Sequence, residues 1–230
     1  APTAAPAARA PASPGPAPAG ARGSLRTGDL ARSGDPAALD LIEAAVADGA
    51  PVVREAALES LGRMDGAPVL VRARGWARRP DALGAAAGQL LACRGSADDG
   101  PLVLAALREA VRGTGPDGPA LWSLVDGAGR LGIAQAAPVL RHLYRETASS
   151  HLRGRTAQAL AATDATFARG FAVECLWDCE ETTREVGARH AATGDQRVVG
   201  RLRRLAADPA EEAEVQTAVR SRIGPDTAAI

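Results

Sequence analysis

An all-α fold, an α-solenoid of about six stacked antiparallel helix hairpins, is what this 230-residue sequence predicts. Three observations predict it. Apolar residues recur at helical spacing, related segments return every 30 to 40 residues or so, and no stretch alternates apolar and polar side chains as a strand does.

The first hairpin is the clearest. Residues 36–49 place Leu39, Ile42, Ala45 and Val46 on one helical face, and residues 51–62 do the same with Val53, Ala56, Ala57 and Leu61. Pro36 and Pro51 each open a helix, after Asp35 and Ala50, where a missing amide proton costs nothing. Only a short turn joins the two, so they form an antiparallel pair. A lone pair leaves its flanks exposed, and more pairs must stack on it.

Later segments supply them. Val53-Arg54 followed by Leu61 returns as Leu152-Arg153 followed by Leu160, and again from Thr183-Arg184 to Ala191. Weaker copies end at Leu90-Leu91, at Leu131-Gly132 and at Ile223-Gly224. Asp48 and Asp178 each precede an arginine by six residues, Arg54 and Arg184. Such an Asp is expected to cap the following helix, and such an Arg to reach a carboxylate of its own or the next repeat. Leu83 or Gly84 stands at the Arg position of the second copy, Leu124 at that of the third, and Thr147 replaces Asp in the fourth.

The hairpins are expected at about 36–64, 66–93, 100–132, 136–162, 165–193 and 195–224. Leu104, Leu107 and Val111 form the stripe of the third, Val139, Leu140 and Leu143 that of the fourth. Val198, Val199, Leu202 and Leu205 form that of the sixth. Residues 94–101 and 113–119 are turn-rich and lengthen the third unit.

Asp-x5-Arg, Val-Arg-x-x-Ala and Leu-Gly recurring together resemble the HEAT repeat family, in particular the bacterial HEAT-like repeats also seen in phycobilin lyase subunits. The resemblance covers residues 35–224. It implies stacked hairpins whose second helices line a concave face, and a module that binds a protein or peptide partner there. On that face it points to Arg54, Glu55, Glu59, Arg153, Gln158, Arg184, Glu185 and Arg189 as exposed, partner-binding positions. Other members of the wider group imply two alternatives, an accessory lyase-like or chaperone-like subunit for a small ligand, or a DNA-binding protein.

Composition narrows the classes. Lys plus Arg and Asp plus Glu both number 27, so the net charge is zero; every Lys/Arg position is Arg. A general nucleic-acid binder needs surplus cations to displace counterions, so none is expected here. The basic run Arg72, Arg74, Trp76, Arg78 and Arg79 is a local exception, placed in the turn of the second unit. Guanidinium groups beside an indole can grip phosphate or stack on bases. The plainer expectation is a solvated turn with Trp76 folded over the edge of the core. Trp122 with Asp126, and Trp177 with Asp178, superficially imitate the aromatic and acidic pairs of helical-repeat DNA glycosylases.

Catalytic constellations are sparse. His142, His151 and His190 are scattered, with no paired nucleophile in the sequence, and the His-Glu dipeptide of HEAT-like metal hydroxylases is missing. Cys175, Cys179 and His190 offer three metal ligands at unfamiliar spacing without a visible fourth, so no metal or cofactor is expected. The remaining cysteine is Cys93; three in all make no disulfide framework, which suits a reducing compartment. Glu180-Glu181 and Glu211-Glu212 are expected to start helices, where the dipole favours negative charge.

The domain plan is therefore residues 1–34 as an Ala/Pro-rich spacer, 35–224 as the repeat domain and 225–230 as a short tail. The first twenty residues are almost entirely Ala and Pro, and prolines favour extended conformers that bury little. Such a spacer would suit an exported or membrane-tethered module, although no run is long enough to span a bilayer.

Overall fold

A computed structural model describes residues 35–223. The expected spacer, the tail and Gly224 lie outside the described residues. Twelve α-helices, and no strands, are present among those described. They are α1 (Pro36–Asp48), α2 (Pro51–Arg63), α3 (Ala67–Trp76), α4 (Ala82–Arg94), α5 (Gly100–Thr114) and α6 (Leu121–Arg130). The second half comprises α7 (Ala137–Glu146), α8 (Ser150–Thr163), α9 (Phe171–Cys175), α10 (Glu181–His190), α11 (Gln196–Ala207) and α12 (Ala213–Ile223).

The helices pair in order: α1 with α2, α3 with α4, and so on to α11 with α12. The second members pack directly on one another along the chain, α2 on α4, α4 on α6, α6 on α8, α8 on α10 and α10 on α12. Among the first members, only α1 and α3 meet to more than a slight extent within the described residues. One continuous core runs through the hairpins, with Leu61, Leu83, Leu107, Leu140, Leu160 and Leu202 fully enclosed.

Glycines let the second helices approach so closely. A Cβ on Gly127 would sit 2.7 Å from the Ala92 carbonyl oxygen in α4, and one on Gly129 would sit 2.9 Å from the Ala159 Cα in α8. A Cβ on Gly154 would sit 2.9 and 3.0 Å from the Thr182 and Thr183 hydroxyls of α10. Backbone nearly touches backbone, and larger side chains are displaced to the flanks of the seam.

Arginines tie the units together at two levels. At helix ends, Arg94 donates to the Gly62 carbonyl (3.2 Å), Arg130 to Ala92 (2.9 Å) and Gly95 (3.0 Å), and Arg222 to Ala188 (3.0 Å) and Ala191 (2.8 Å). Each closes the orphan carbonyls of the preceding second helix with a cation. In the body, forked pairs cross to the next unit: Arg74 to Asp99, Arg141 to Asp164, Arg153 to Asp178 and Arg184 to Glu211.

Several expectations are corrected. Val53 is half exposed and Ala56 is exposed, because no described helix covers the outer flank of the first hairpin. Leu131, expected to be buried at the position equivalent to Leu61 and Leu160, is only partly buried; α6 stops at Arg130, Gly132 turns with φ of 61°, and Ile133 enters the core instead. Asp48 is the last residue of α1 and does not cap α2, whose Ala50 cap makes no side-chain bond. Glu211 and Glu212 stand just before α12 as expected, the Glu211 carboxylate accepting from the Glu212 amide at 3.0 Å and also from Arg184 of the preceding unit. The turn-rich residues 94–101 contain a 3-10 turn, Ala97–Asp99, in which Ser96 and Asp99 cap each other.

Candidate functional site

The face made by the second helices carries a cleft of about 650 Å³ spanning α6, α8 and α10. Trp122 stands in the first turn of α6 and Asp126 one turn later, on the same side. From α8 come His151, Arg155 and Gln158, spaced so that they share a face, and Thr182 of α10 closes the far end. The floor is Gly129, Gly154 and Ala159, the small residues that bring the helices into backbone contact.

Arg155 organises the opening. It pairs with Asp126 and lies 5.0 Å from the centre of the Trp122 ring, a cation over an indole face. Trp122 remains 37% exposed in a cleft whose floor is made of the small residues Gly129, Gly154 and Ala159. His151 is exposed, with Nδ1 3.3 Å from Glu180 Oε1, and Ser150 donates to the other carboxylate oxygen at 2.8 Å. Arg130 is spoken for by backbone carbonyls and acts as a wall.

A second hollow of about 430 Å³ lies between α2 and α4 and ends at Ser123, next to Trp122. Leu58, Ala85, Ala86, Leu90 and Cys93 make it largely apolar. An anchor for an apolar side chain thus adjoins an aromatic and charged cleft, across the α6 ridge. This chemistry suits binding: aromatic faces, a guanidinium and amide groups on a rigid scaffold.

The residues singled out from sequence are spread more widely. Gln158 lines the cleft. Arg54, Glu55 and Glu59 are exposed on α2; Arg54 reaches the Gly49 carbonyl of its own turn at 3.4 Å, and Glu59 pairs with Arg63. Glu185 and Arg189 pair with each other along α10, Glu185 being half-buried. Arg153 and Arg184 are not the exposed positions expected. Their side chains are 22% and 16% exposed, because each guanidinium forks onto the next unit's carboxylate. Trp122, Asp126, His151 and Arg155 are the cleft residues that the partner-binding set omits. The signal was the Trp122/Asp126 pair one turn apart, with Arg155 beside the repeat's own Arg153.

The basic run divides differently from the expectation. Arg72, Arg74 and Trp76 lie on α3, because that helix continues to Trp76; only Arg78 and Arg79 are in the turn. Arg72 pairs with Asp40, Arg74 with Asp99, and Arg79 with Glu43 and Asp81, while Arg78 donates to the Arg74 carbonyl at 2.7 Å. Trp76 is buried over the core edge and donates to Glu43 at 3.0 Å. Four carboxylates thus offset the run locally.

The cysteines do not converge with His190. Cys175 is buried with its Sγ 3.4 Å from the Tyr144 hydroxyl, and burial pushes its thiol up to about 11. Cys179 is exposed, and His190 packs edge-on to Phe167 at 5.9 Å. Among the described residues, no group of three or more His, Cys, Asp or Glu side chains is arranged to hold a metal ion. Trp177 is exposed beneath Arg201, 5.8 Å away, and lies outside the cleft lining.

No helix among the described residues is long and apolar enough to cross a membrane. No protein-family model, curated protein or solved structure matches this chain.

Proposed function

We propose that residues 35–224 form a HEAT-like α-solenoid acting as a non-catalytic scaffold, which binds a protein or peptide partner on the face of its second helices. Close contact among second helices, with first helices splayed apart, curves a stack toward the second-helix side and makes that face concave. The cleft at Trp122 and Arg155 is the observation that carries the reading. An exposed indole under a guanidinium, beside an apolar hollow, has the residue types that anchor protein interfaces. The pairing of the Arg72–Arg79 run disfavours phosphate binding as the main role.

Crosslinking in the source cell, followed by titration of the recovered partner, tests the proposal. Trp122→Ala with Arg155→Ala is expected to weaken that partner at least tenfold, about 1.4 kcal/mol, while the melting midpoint moves little. Equal affinity for the double variant, or a turnover assay succeeding where no partner binds, overturns it.

A further inference from the structure

The second-helix face changes character along the stack, through three adjoining hollows. The first, between α2 and α4, is walled by Leu58, Ala85, Ala86 and Leu90; its only charged lining residue is Arg94, which donates to the Gly62 carbonyl. The middle one is the Trp122 cleft, where Asp126 and Arg155 neutralise each other and Arg130 is held by carbonyls. The third, about 280 Å³ between α10 and α12, is lined by Glu181, Thr182, Glu185, Glu212, Glu214 and Val215. Ser123 of the first hollow adjoins Trp122 of the second, and Thr182 lines both the second and the third, so the three run together.

Four carboxylates and no cation line the third hollow. Glu185 pairs with Arg189, and Glu180, just before α10, pairs with His151. Glu181, Glu212 and Glu214 have no ion-pair partner among the described residues; Arg184, close enough to feel Glu181, forks onto Glu211 instead. The helix dipoles favour Glu181 and Glu214 singly, yet they do not require four glutamates to converge on one hollow. The face thus runs from apolar beside a cation at α2 and α4 to anionic at α10 and α12. Between the two ends, the Gln158 amide and the Thr182 hydroxyl have no hydrogen-bond partner among the described residues. The Thr183 hydroxyl, fully enclosed beside Gly154 of the cleft floor, is also unpartnered.

We infer that the partner presents an extended segment with a large apolar side chain at one end and a few Arg or Lys residues at the other, the cationic end lying over α10 and α12. This rests on the proposed function and gives its partner a chemistry. Four helix-to-helix steps of about 8–10 Å separate the outer hollows, so an extended chain crosses them in about ten to twelve residues. Extended backbone suits the middle of the face, because its unpaired amides and carbonyls can meet Gln158 and Thr182, whereas a helix has already paired its own. Glutamates without a cation at one end and Arg94 at the other fix the direction, since a reversed segment sets like charge against like.

Selection of a random peptide library, about twelve residues long, against the full chain decides it. Enriched peptides are expected to share one order, apolar at one end and basic at the other, and the same composition reversed should bind at least about tenfold more weakly. Glu181→Gln with Glu212→Gln and Glu214→Gln, all at exposed positions, should weaken the selected peptide about tenfold and flatten its loss of affinity in raised salt, with the melting midpoint little changed. An acidic or uncharged consensus, no enrichment, or a triple variant that binds like the parent overturns the inference. If the triple variant binds like the parent while Trp122→Ala with Arg155→Ala still weakens the partner, only this inference falls; indifference to the Trp122 and Arg155 changes sinks the proposed function as well.

Discussion

Asp164 shows what a single charged contact does in this chain. Its side chain is 2% exposed and accepts two bonds of 2.7 Å from Arg141, plus bonds from the Thr166 amide and hydroxyl. The Arg141 guanidinium first, and the Thr166 donors with it, hold the carboxyl at about 2 against the cost of burial. Because the folded value lies below the unfolded one, about 3.9, this pair contributes fully above that pH. Its contribution is lost as pH falls through about 4 toward 2. Asp99, held low by Arg74, adds to the same window. So does Asp178: burial would raise its carboxyl, yet the bonds from Arg153 and the Glu180 amide bring it below its ordinary value. The melting midpoint should drop between pH 4 and 2, and Arg141→Ala should lower stability by about 1–3 kcal/mol at pH 7 while flattening that drop. Thermal scans across pH check both. Also at this scale, Leu61→Ala and Leu160→Ala each remove a fully buried side chain and should cost about 2–5 kcal/mol in urea titrations.

Between elements, the glycines of the second helices matter more than their neighbours suggest. Gly127→Ala would push a methyl into the Ala92 backbone, a contact that cannot yield by side-chain rotation, and should destabilise by about 1–3 kcal/mol. Gly62→Ala meets nothing within 4 Å inside α2 and should stabilise by about 0.5–1 kcal/mol, as removal of backbone freedom does in a helix. The contrast between the two in denaturant titrations separates seam packing from helix propensity. The sequence marks both positions only as glycine. Helix starts were more legible: Asp35 accepts from the Ala37 amide at 3.0 Å and Pro36 opens α1, as local geometry requires. The Asp48 reading failed because α2 begins at Pro51, which puts Ala50 rather than Asp48 in the cap position. The Arg153 and Arg184 readings found the right partners' chemistry but the wrong exposure, since a fork reaching the next unit lies along the seam.

For the molecule as a whole, apolar spacing fixed which residues face inward, and hairpin recurrence fixed how many pairs there are. Those are properties of about one or two turns of chain, so they are written locally. The cleft is not: Trp122 and Arg155 lie on different helices, α6 and α8, which approach closely at Gly129, while Gly154 lets α10 close the far end. The forked Arg–carboxylate pairing between units likewise tolerates Thr147 in place of Asp through contacts made in space. Thr147, standing for Asp, donates to Asp117 of the preceding unit at 2.6 Å and lends its carbonyl to Arg153. Thr147→Val should therefore cost about 1–3 kcal/mol, by stripping Asp117 of its hydroxyl donor, and urea titration checks it. The helices, their order and their buried stripes were determined by sequence alone, because each depends on residues a few positions apart. Which side chains share a cleft, and which arginines are already taken, was decided by tertiary structure, because those contacts join residues about one repeat apart and depend on how closely neighbouring backbones approach.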